Sequence, residues 1–321
     1  MLPQSLSESL PMFNGITALF TDYTFRQALI GTVAVGGIAG ALGPAVYLRR
    51  HSLLADTIAH STLPGMLSAF VLASLVGLPG RFVPILLLGA VITGLVSVVC
   101  VFGIGKLAPI KPDAAMAATL TTFFALGMMI LQYITRAPLP GKAGIADYLL
   151  GNASTLTMND VISILATGAV TLGFLVLIHR IHATSAFDPV FATINGISTR
   201  VVDALAFIAL VMVTVIGVKV VGVVLMVSVI IAPTVAARKF TRRLVPFIVM
   251  SSVLGMVSSA VGCYVSITTN APTGPCIVLC HTVVVTIAIV WSRRRDAFRQ
   301  NAAHVIDYST TAKEAQPCPS R

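Results

Sequence analysis

The chain has 321 residues, of which 56% are hydrophobic and only 10% are charged, and its mean hydropathy is +0.95. Because a soluble domain carries roughly a quarter charged residues, this composition excludes an ordinary soluble fold and indicates a polytopic helical membrane protein. The formal net charge of +10 points to orientation in a membrane rather than to nucleic acid, since no basic stretch has the interleaved aromatics of a nucleic-acid module.

Apolar runs of about 20 residues, separated by short basic or Pro/Gly-rich connections, predict an all-α fold with nine membrane spans. The predicted spans are residues 28–48, 57–78, 83–106, 114–134, 159–179, 202–218, 219–237, 246–268 and 275–292. The sixth and seventh are short and meet at Gly217, Val218 and Lys219, so eight spans are also compatible with the sequence.

The spans divide the chain into three parts. Residues 1–26 form an extracytoplasmic N-terminal segment, residues 27–293 form the transmembrane domain, and residues 294–321 form a polar cytoplasmic tail that we expect to be disordered.

Positive charge is distributed unevenly between alternate loops. One side receives Arg26, Arg81, Arg136, Lys142 and Lys219. The other side receives Arg49, Arg50, Lys106, Lys111, Arg180, Arg200, Arg238, Lys239, Arg242, Arg243, Arg293, Arg294, Arg295 and Arg299. Because the side richer in Lys and Arg is normally cytoplasmic, we expect the N-terminus outside and the C-terminus inside.

Asp56 and His60 lie four residues apart in an apolar stretch at the start of the second predicted span. Each costs on the order of 3 kcal/mol at a helix centre, so such residues usually serve an ion or proton path. Residues at i and i+4 share a helix face, and this oxygen–nitrogen pair suits Mn²⁺, Zn²⁺ or Fe²⁺ better than Cu⁺. Alternatively, Asp56 pairs with Arg49, Arg50 or a neighbouring helix, and His60 satisfies a backbone carbonyl.

Pro64 and Gly65 follow in the same span and are expected to support the path. A proline within a helix removes the hydrogen bond to the carbonyl four residues earlier, which here belongs to His60. That carbonyl could act as a third oxygen ligand, as freed carbonyls do in other transporters.

The loop between the fifth and sixth spans predicts a helix of about two turns outside the membrane. Asp188 is a typical N-cap, Pro189 a first helical residue and Gly196 a stop. The apolar side chains of this segment are Phe187, Val190, Phe191 and Ile194. They suit docking into a groove of a partner, or packing against the chain's own helix ends.

Catalytic motifs are absent from the sequence. It contains no G-x-x-x-x-G-K-[ST] phosphate loop, no H-E-x-x-H and no G-x-S-x-G, and no connection long enough for a nucleotide-binding domain. The chain is therefore not expected to be an enzyme, and any ATP hydrolysis would belong to another subunit.

Three stretches together resemble the permease subunits of bacterial ABC importers for manganese, zinc and iron, the ABC-3 family. Residues 49–65 resemble R-x-x-L-x-G-D-A-x-S-H-A-x-L-P-G, and residues 187–198 resemble F-D-P-x-x-A-x-x-x-G-I. The third stretch is 221–238, followed by 271–275. The sequence departs from the family modestly: Ala55 stands where Gly is usual, and Ala59 where Ser is common.

The resemblance implies an importer of a divalent metal in the bacterial inner membrane, with Asp56 and His60 contacting the metal. It implies no permanently bound cofactor, an ATP-binding subunit docked on the helix within 187–198, and an extracytoplasmic metal-binding protein. Two permease chains, identical or closely related, would form the path. Because the ligands are hard or borderline and no thiolate accompanies them, manganese is favoured, then zinc, then iron.

Three alternatives remain open at this point. The first is a permease for a siderophore- or vitamin B12-type chelate, although a bulky chelate needs no direct protein ligands. The second is a proton-driven secondary transporter that uses Asp56 and His60 as a relay. The third is a membrane subunit without transport, in which the short helix is only a docking surface.

Overall fold

The computed structural model describes residues 22–48, 52–77, 83–107, 110–139, 142, 151–196, 198–241, 243–269 and 271–314. Within these ranges the chain forms ten α-helices and no strand. The helices are α1 (Tyr23–Leu48), α2 (Ser52–Leu75), α3 (Val83–Leu107), α4 (Pro112–Arg136), α5 (Met158–Phe187), α6 (Pro189–Ile194), α7 (Thr199–Val221), α8 (Met226–Phe240), α9 (Leu244–Thr269) and α10 (Thr273–Glu314). All except α6 and α8 are long and apolar enough to cross a membrane, which confirms the all-α polytopic fold.

The predicted seventh span, residues 219–237, differs from the structure. Helix α7 runs through Lys219 to Val221 and ends at Gly222, whose φ of 95° places it in the left-handed region that glycine tolerates. Helix α8 has 15 residues, so it extends roughly 22 Å, less than the thickness of the hydrocarbon core. The predicted junction at 217–219 is therefore wrong. The described residues contain eight full-length spans and, in addition, the short helix α8.

Helix α8 nevertheless reverses the direction of the chain. Gly36 of α1 packs against Ser259 of α9, and Gly40 packs against Ser251, so α1 and α9 are antiparallel. A three-residue connection joins α8 to α9, and Thr234 and Ser251 share a hydrogen bond of 3.0 Å. Helix α8 is thus parallel to α1, and the described part of the chain passes along the bundle nine times, one pass being short.

Close approach of small residues holds α1 against α9. A Cβ at Gly36 would meet the Gly255 carbonyl oxygen, and a Cβ at Gly40 would meet the Ser251 carbonyl oxygen at 2.6 Å. The Ser252 hydroxyl donates to the Gly37 carbonyl across 2.9 Å. Small residues and interhelical hydrogen bonds of this kind stabilise helix pairs in lipid, where the hydrophobic effect adds little.

Helix α2 is clamped between α3 and α4. A Cβ at Gly65 would collide with the backbone of Gly89 in α3, and Gly127 of α4 lies against Leu63 and Pro64. At the other end of α2, the Thr57 hydroxyl donates to the Met116 carbonyl of α4 across 3.2 Å. These contacts fix the rotation of α2, and with it the face that carries Asp56 and His60.

The last helix extends beyond its membrane span. Helix α10 continues to Glu314, whereas the sequence predicts disorder from residue 294. Residues 293–314 contain neither proline nor glycine, so nothing in them interrupts a helix. Residues 1–21 and 315–321 lie outside the described ranges, and the division of the chain into 1–26, 27–293 and 294–321 stays a prediction.

Candidate functional site

The two ionisable residues of α2 lie side by side. One turn of helix brings Asp56 Oδ1 to 3.4 Å from His60 Nε2, and the side chains are 28% and 12% exposed respectively. The neighbouring positions Ala55, Thr57, Ile58 and Ala59 are completely buried. The pair therefore forms a small polar patch on an otherwise packed helix.

His60 makes few polar contacts for a histidine so enclosed. Its Nδ1 is buried and has no hydrogen-bond partner among the described residues. Its ring packs edge-to-face against Phe124 of α4, with centroids 4.8 Å apart and planes at 81°. A buried polar atom without a partner costs about 1–3 kcal/mol and is a common sign of a functional site.

The hydroxyl groups around the pair already donate hydrogen bonds to backbone carbonyls. Thr57 donates to the Leu53 carbonyl across 2.9 Å as well as to Met116, Ser61 donates to the Thr57 carbonyl across 2.6 Å, and Thr62 donates to the Ala59 carbonyl across 2.7 Å. Such bonds satisfy the hydroxyls within the helix. Thr57, Ser61 and Thr62 are also completely buried, whereas Asp56 and His60 are partly exposed and so more accessible to an ion.

Pro64 lies inside α2, and the helix continues past it to Leu75. Because proline has no N–H, it cannot donate to the carbonyl of His60. A contribution of that carbonyl to ion binding stays a prediction. Gly65 makes the close α2–α3 crossing one turn beyond His60, so both residues shape the helix that carries the pair.

One chain supplies an incomplete coordination sphere. Within the described part of the chain, no group of three or more His, Cys, Asp or Glu side chains could hold a metal ion. The pair alone offers two donors, whereas the metals it suits take four to six ligands. A metal bound by this pair would need further ligands from outside the described side chains, such as water, backbone or another chain.

The predicted short helix is confirmed as α6. The Asp188 carboxylate accepts a hydrogen bond of 2.9 Å from the Phe191 amide, Pro189 is the first helical residue, and Gly196 follows the helix with a φ of 74°. Phe187 is the last residue of α5, so a single residue, Asp188, separates the long helix from α6.

Helix α6 presents apolar side chains to its surroundings. Val190, Phe191 and Ile194 are 69%, 55% and 79% exposed, while Ala192 is fully buried. The side chain of Phe187 lies outside the described ones. These three side chains therefore do not pack against the chain's own helix ends, and their docking to a partner stays a prediction.

An ion pair between α5 and α7 was missed by the sequence analysis. Lys219 Nζ, in the last turn of α7, lies 2.6 Å from Asp160 Oδ1, in the first turn of α5. The other Asp160 oxygen accepts from the backbone and hydroxyl of Thr157, completing a capping box. The spacing T-x-x-D is a signal that could have located this cap. Phe124 was also missed, and no sequence pattern marks a phenylalanine in an apolar helix as a neighbour of His60.

The similarity to known proteins extends over most of the chain. The sequence profile of the ABC 3 transport family matches residues 21–292. The zinc transport system membrane protein TroC of Treponema pallidum is 34% identical over 289 residues, which cover 89% of this chain and 95% of TroC. The manganese transport system membrane protein MntC of Bacillus subtilis is 34% identical over 285 residues, covering 88% of this chain and 64% of MntC.

Among solved structures, PsaBC from Streptococcus pneumoniae in complex with Fab has a chain that superposes with a TM-score of 0.76. That chain is 26% identical, and the match covers 86% of this chain and 94% of the other. With eight spanning helices in the described residues and a family match from residue 21 to 292, the chain is a multi-pass membrane protein of the ABC 3 transport family.

Proposed function

We propose that this chain is the permease subunit of an ABC importer that carries a divalent transition metal across the bacterial plasma membrane. The observation that carries the proposal is the Asp56–His60 pair, held at 3.4 Å within a membrane helix. Family membership and the relatives named for zinc and manganese transport support it.

The ligand types favour manganese, then zinc and iron. A carboxylate oxygen and an imidazole nitrogen are hard and borderline donors, which suit these ions better than Cu⁺. Two donors per chain bind weakly, as a transport path requires, because the ion must also leave. Two permease chains, either two copies of this one or this chain with a close relative, would bring together two carboxylates and two imidazoles, and the carboxylates would balance the charge of one dication.

Energy for transport comes from a partner in this proposal. A cytoplasmic ATP-binding subunit docks on Val190, Phe191 and Ile194 of α6 and hydrolyses ATP. Because α6 is connected directly to α5 and α7, movement of the docked subunit reaches two membrane helices. An extracytoplasmic metal-binding protein delivers the ion to the outer mouth.

The orientation follows from the direction of the helices and the distribution of charge. Helix α10 is antiparallel to α9, because a short connection joins them and Gly262 packs against Ile277. The start of α1 and the end of the last span therefore lie at opposite ends of the bundle. The end that carries Arg238, Lys239 and Arg293 is the cytoplasmic one under the positive-inside rule, which puts the N-terminus outside.

The test is a survey of Mn, Fe, Zn, Co and Cu in metal-limited cells that lack this chain, against cells rescued with it. We expect one of manganese, zinc or iron to fall and to recover on rescue. Cells lacking the ATP-binding subunit should show the same loss, which separates an ABC importer from a proton-driven one. An unchanged metal profile would contradict the proposal.

A further inference from the structure

Phe124 occupies the space beside the imidazole of His60. Its ring lies 4.8 Å from the imidazole, centroid to centroid, in an edge-to-face arrangement that aromatic pairs favour. Two contacts, one on each side of Phe124 along the helix, hold α4 against α2. Met116 accepts the hydrogen bond of Thr57 on one side, and Gly127 packs against Leu63 on the other.

No hydrogen bond from the described residues to Nδ1 orients the imidazole of His60. Histidines that bind metals usually donate their second ring nitrogen to a carboxylate, carbonyl or water, and this bond sets the direction of the first nitrogen. Here Nδ1 of His60 is buried without a partner among the described residues, while Nε2 faces the Asp56 carboxylate. Apart from the contact of Nε2 with Asp56, the orientation of the ring therefore depends on packing, and Phe124 is an aromatic side chain packed against it.

We propose that Phe124 is a positioning residue for the metal path, which holds His60 Nε2 toward Asp56 so that both ligands meet the ion together. The inference rests on the proposed function and extends it to a residue that touches no metal. Without the aromatic ring, the imidazole is free to rotate toward α4. Metal binding must then fix the imidazole again, and this ordering reduces the free energy of metal binding.

The test compares three variants in the complete transporter, with its ATP-binding subunit present. Phe124→Leu removes the ring but keeps apolar volume, and Phe124→Tyr keeps the ring. Phe123→Leu is the matched control, because the adjacent residue points about 100° away around the helix. The readout is the initial rate of manganese uptake against manganese concentration, normalised to the amount of complex in the membrane.

We expect Phe124→Leu to raise the half-saturating manganese concentration roughly tenfold, the size of effect seen when the support of a metal ligand is lost. The maximal rate should stay close to wild type. Phe124→Tyr and Phe123→Leu should both resemble wild type. A merely structural role would lower the amount of complex or the maximal rate, and would not single out the half-saturating concentration.

Asp56→Ala is measured in parallel to separate the two claims. If Asp56→Ala abolishes uptake while Phe124→Leu keeps the wild-type half-saturating concentration, the positioning role is overturned and the proposed function stands. If Asp56→Ala imports manganese normally, the metal path through Asp56 and His60, on which this inference rests, fails. Should Phe124→Leu not accumulate in the membrane, Phe124→Met takes its place under the same criterion.

Discussion

At the scale of single residues, Asp56 and His60 differ from the polar groups around them by being only partly satisfied. Thr57, Ser61 and Thr62 donate to carbonyls within or beside their own helix. Asp56 and His60 have one another at 3.4 Å, and one imidazole nitrogen is left over. Since burying such groups costs free energy, their placement calls for a functional explanation, and the metal path that we propose would supply one.

Changing the donor type at His60 should change which metal is preferred. In His60→Cys a soft thiolate replaces the imidazole, so zinc uptake should rise relative to manganese uptake. The measurement is the ratio of the two metals accumulated from an equimolar mixture. Ser61→Cys is the control, because it adds the same thiol one residue later, at a buried position on another part of the helix surface. An unchanged ratio in His60→Cys would argue against coordination by His60.

The sequence analysis predicted the Asp56–His60 pair but not the side chains that pack around it. Asp56 and His60 are four residues apart in one helix, so their proximity is a local property that the sequence contains. Phe124 lies 64 positions beyond His60, and only the packing of α4 on α2 brings the rings together. Contacts between distant segments leave no local pattern, which is why this neighbour could not be predicted.

At the scale of helices, the elements whose signals are local were predicted well. Helix α6 begins at its N-cap Asp188 and stops just before Gly196, and long apolar runs were enough to find the eight full spans. The end of α7 depends instead on a tertiary contact. Lys219 stays helical and pairs with Asp160 of α5, so a charged residue that suggested a loop lies within the last turn.

The Asp160–Lys219 pair should contribute to stability. Both side chains are mostly buried, at 7% and 18% exposure, so Lys219→Met leaves a carboxylate without its partner. We expect a loss of about 3 kcal/mol in the free energy of unfolding, measured by denaturation of the purified protein in detergent. The double variant with Asp160→Asn should recover most of the loss. Lys106→Met, at an exposed position in the last turn of α3, should have little effect.

The exposed face of α6 should be needed for binding the ATP-binding subunit. Phe191→Asp and Ile194→Asp place a charge on the apolar surface and should abolish co-purification of that subunit, together with metal uptake. The chain itself should still reach the membrane in normal amounts. Ser198→Asp adds the same charge at an exposed N-cap of α7, where a carboxylate is favourable, and should bind normally. Full co-purification of Phe191→Asp would rule out this surface as the docking site.

At the scale of the whole molecule, two packed groups of helices meet along α7. Helices α1 and α9 form one group through small residues such as Gly36 and Gly40, and α2, α3 and α4 form the other, which carries the Asp56–His60 pair. Helix α7 touches the second group where Phe102 meets Phe207, with ring centroids 5.5 Å apart. Since α6 precedes α7 directly, this helix links the proposed docking surface to the Asp56–His60 pair.

The measurement that tests the account most directly is manganese uptake by Asp56→Asn and His60→Gln. Both changes keep the size of the side chain, and the amount of each variant in the membrane is determined first. Asp113→Asn is the matched control, since it removes the same charge from an exposed site at the start of α4. We predict that both site variants fall to the uptake of cells lacking the chain while the control imports normally. Wild-type uptake by both site variants would contradict the claim that the metal passes Asp56 and His60.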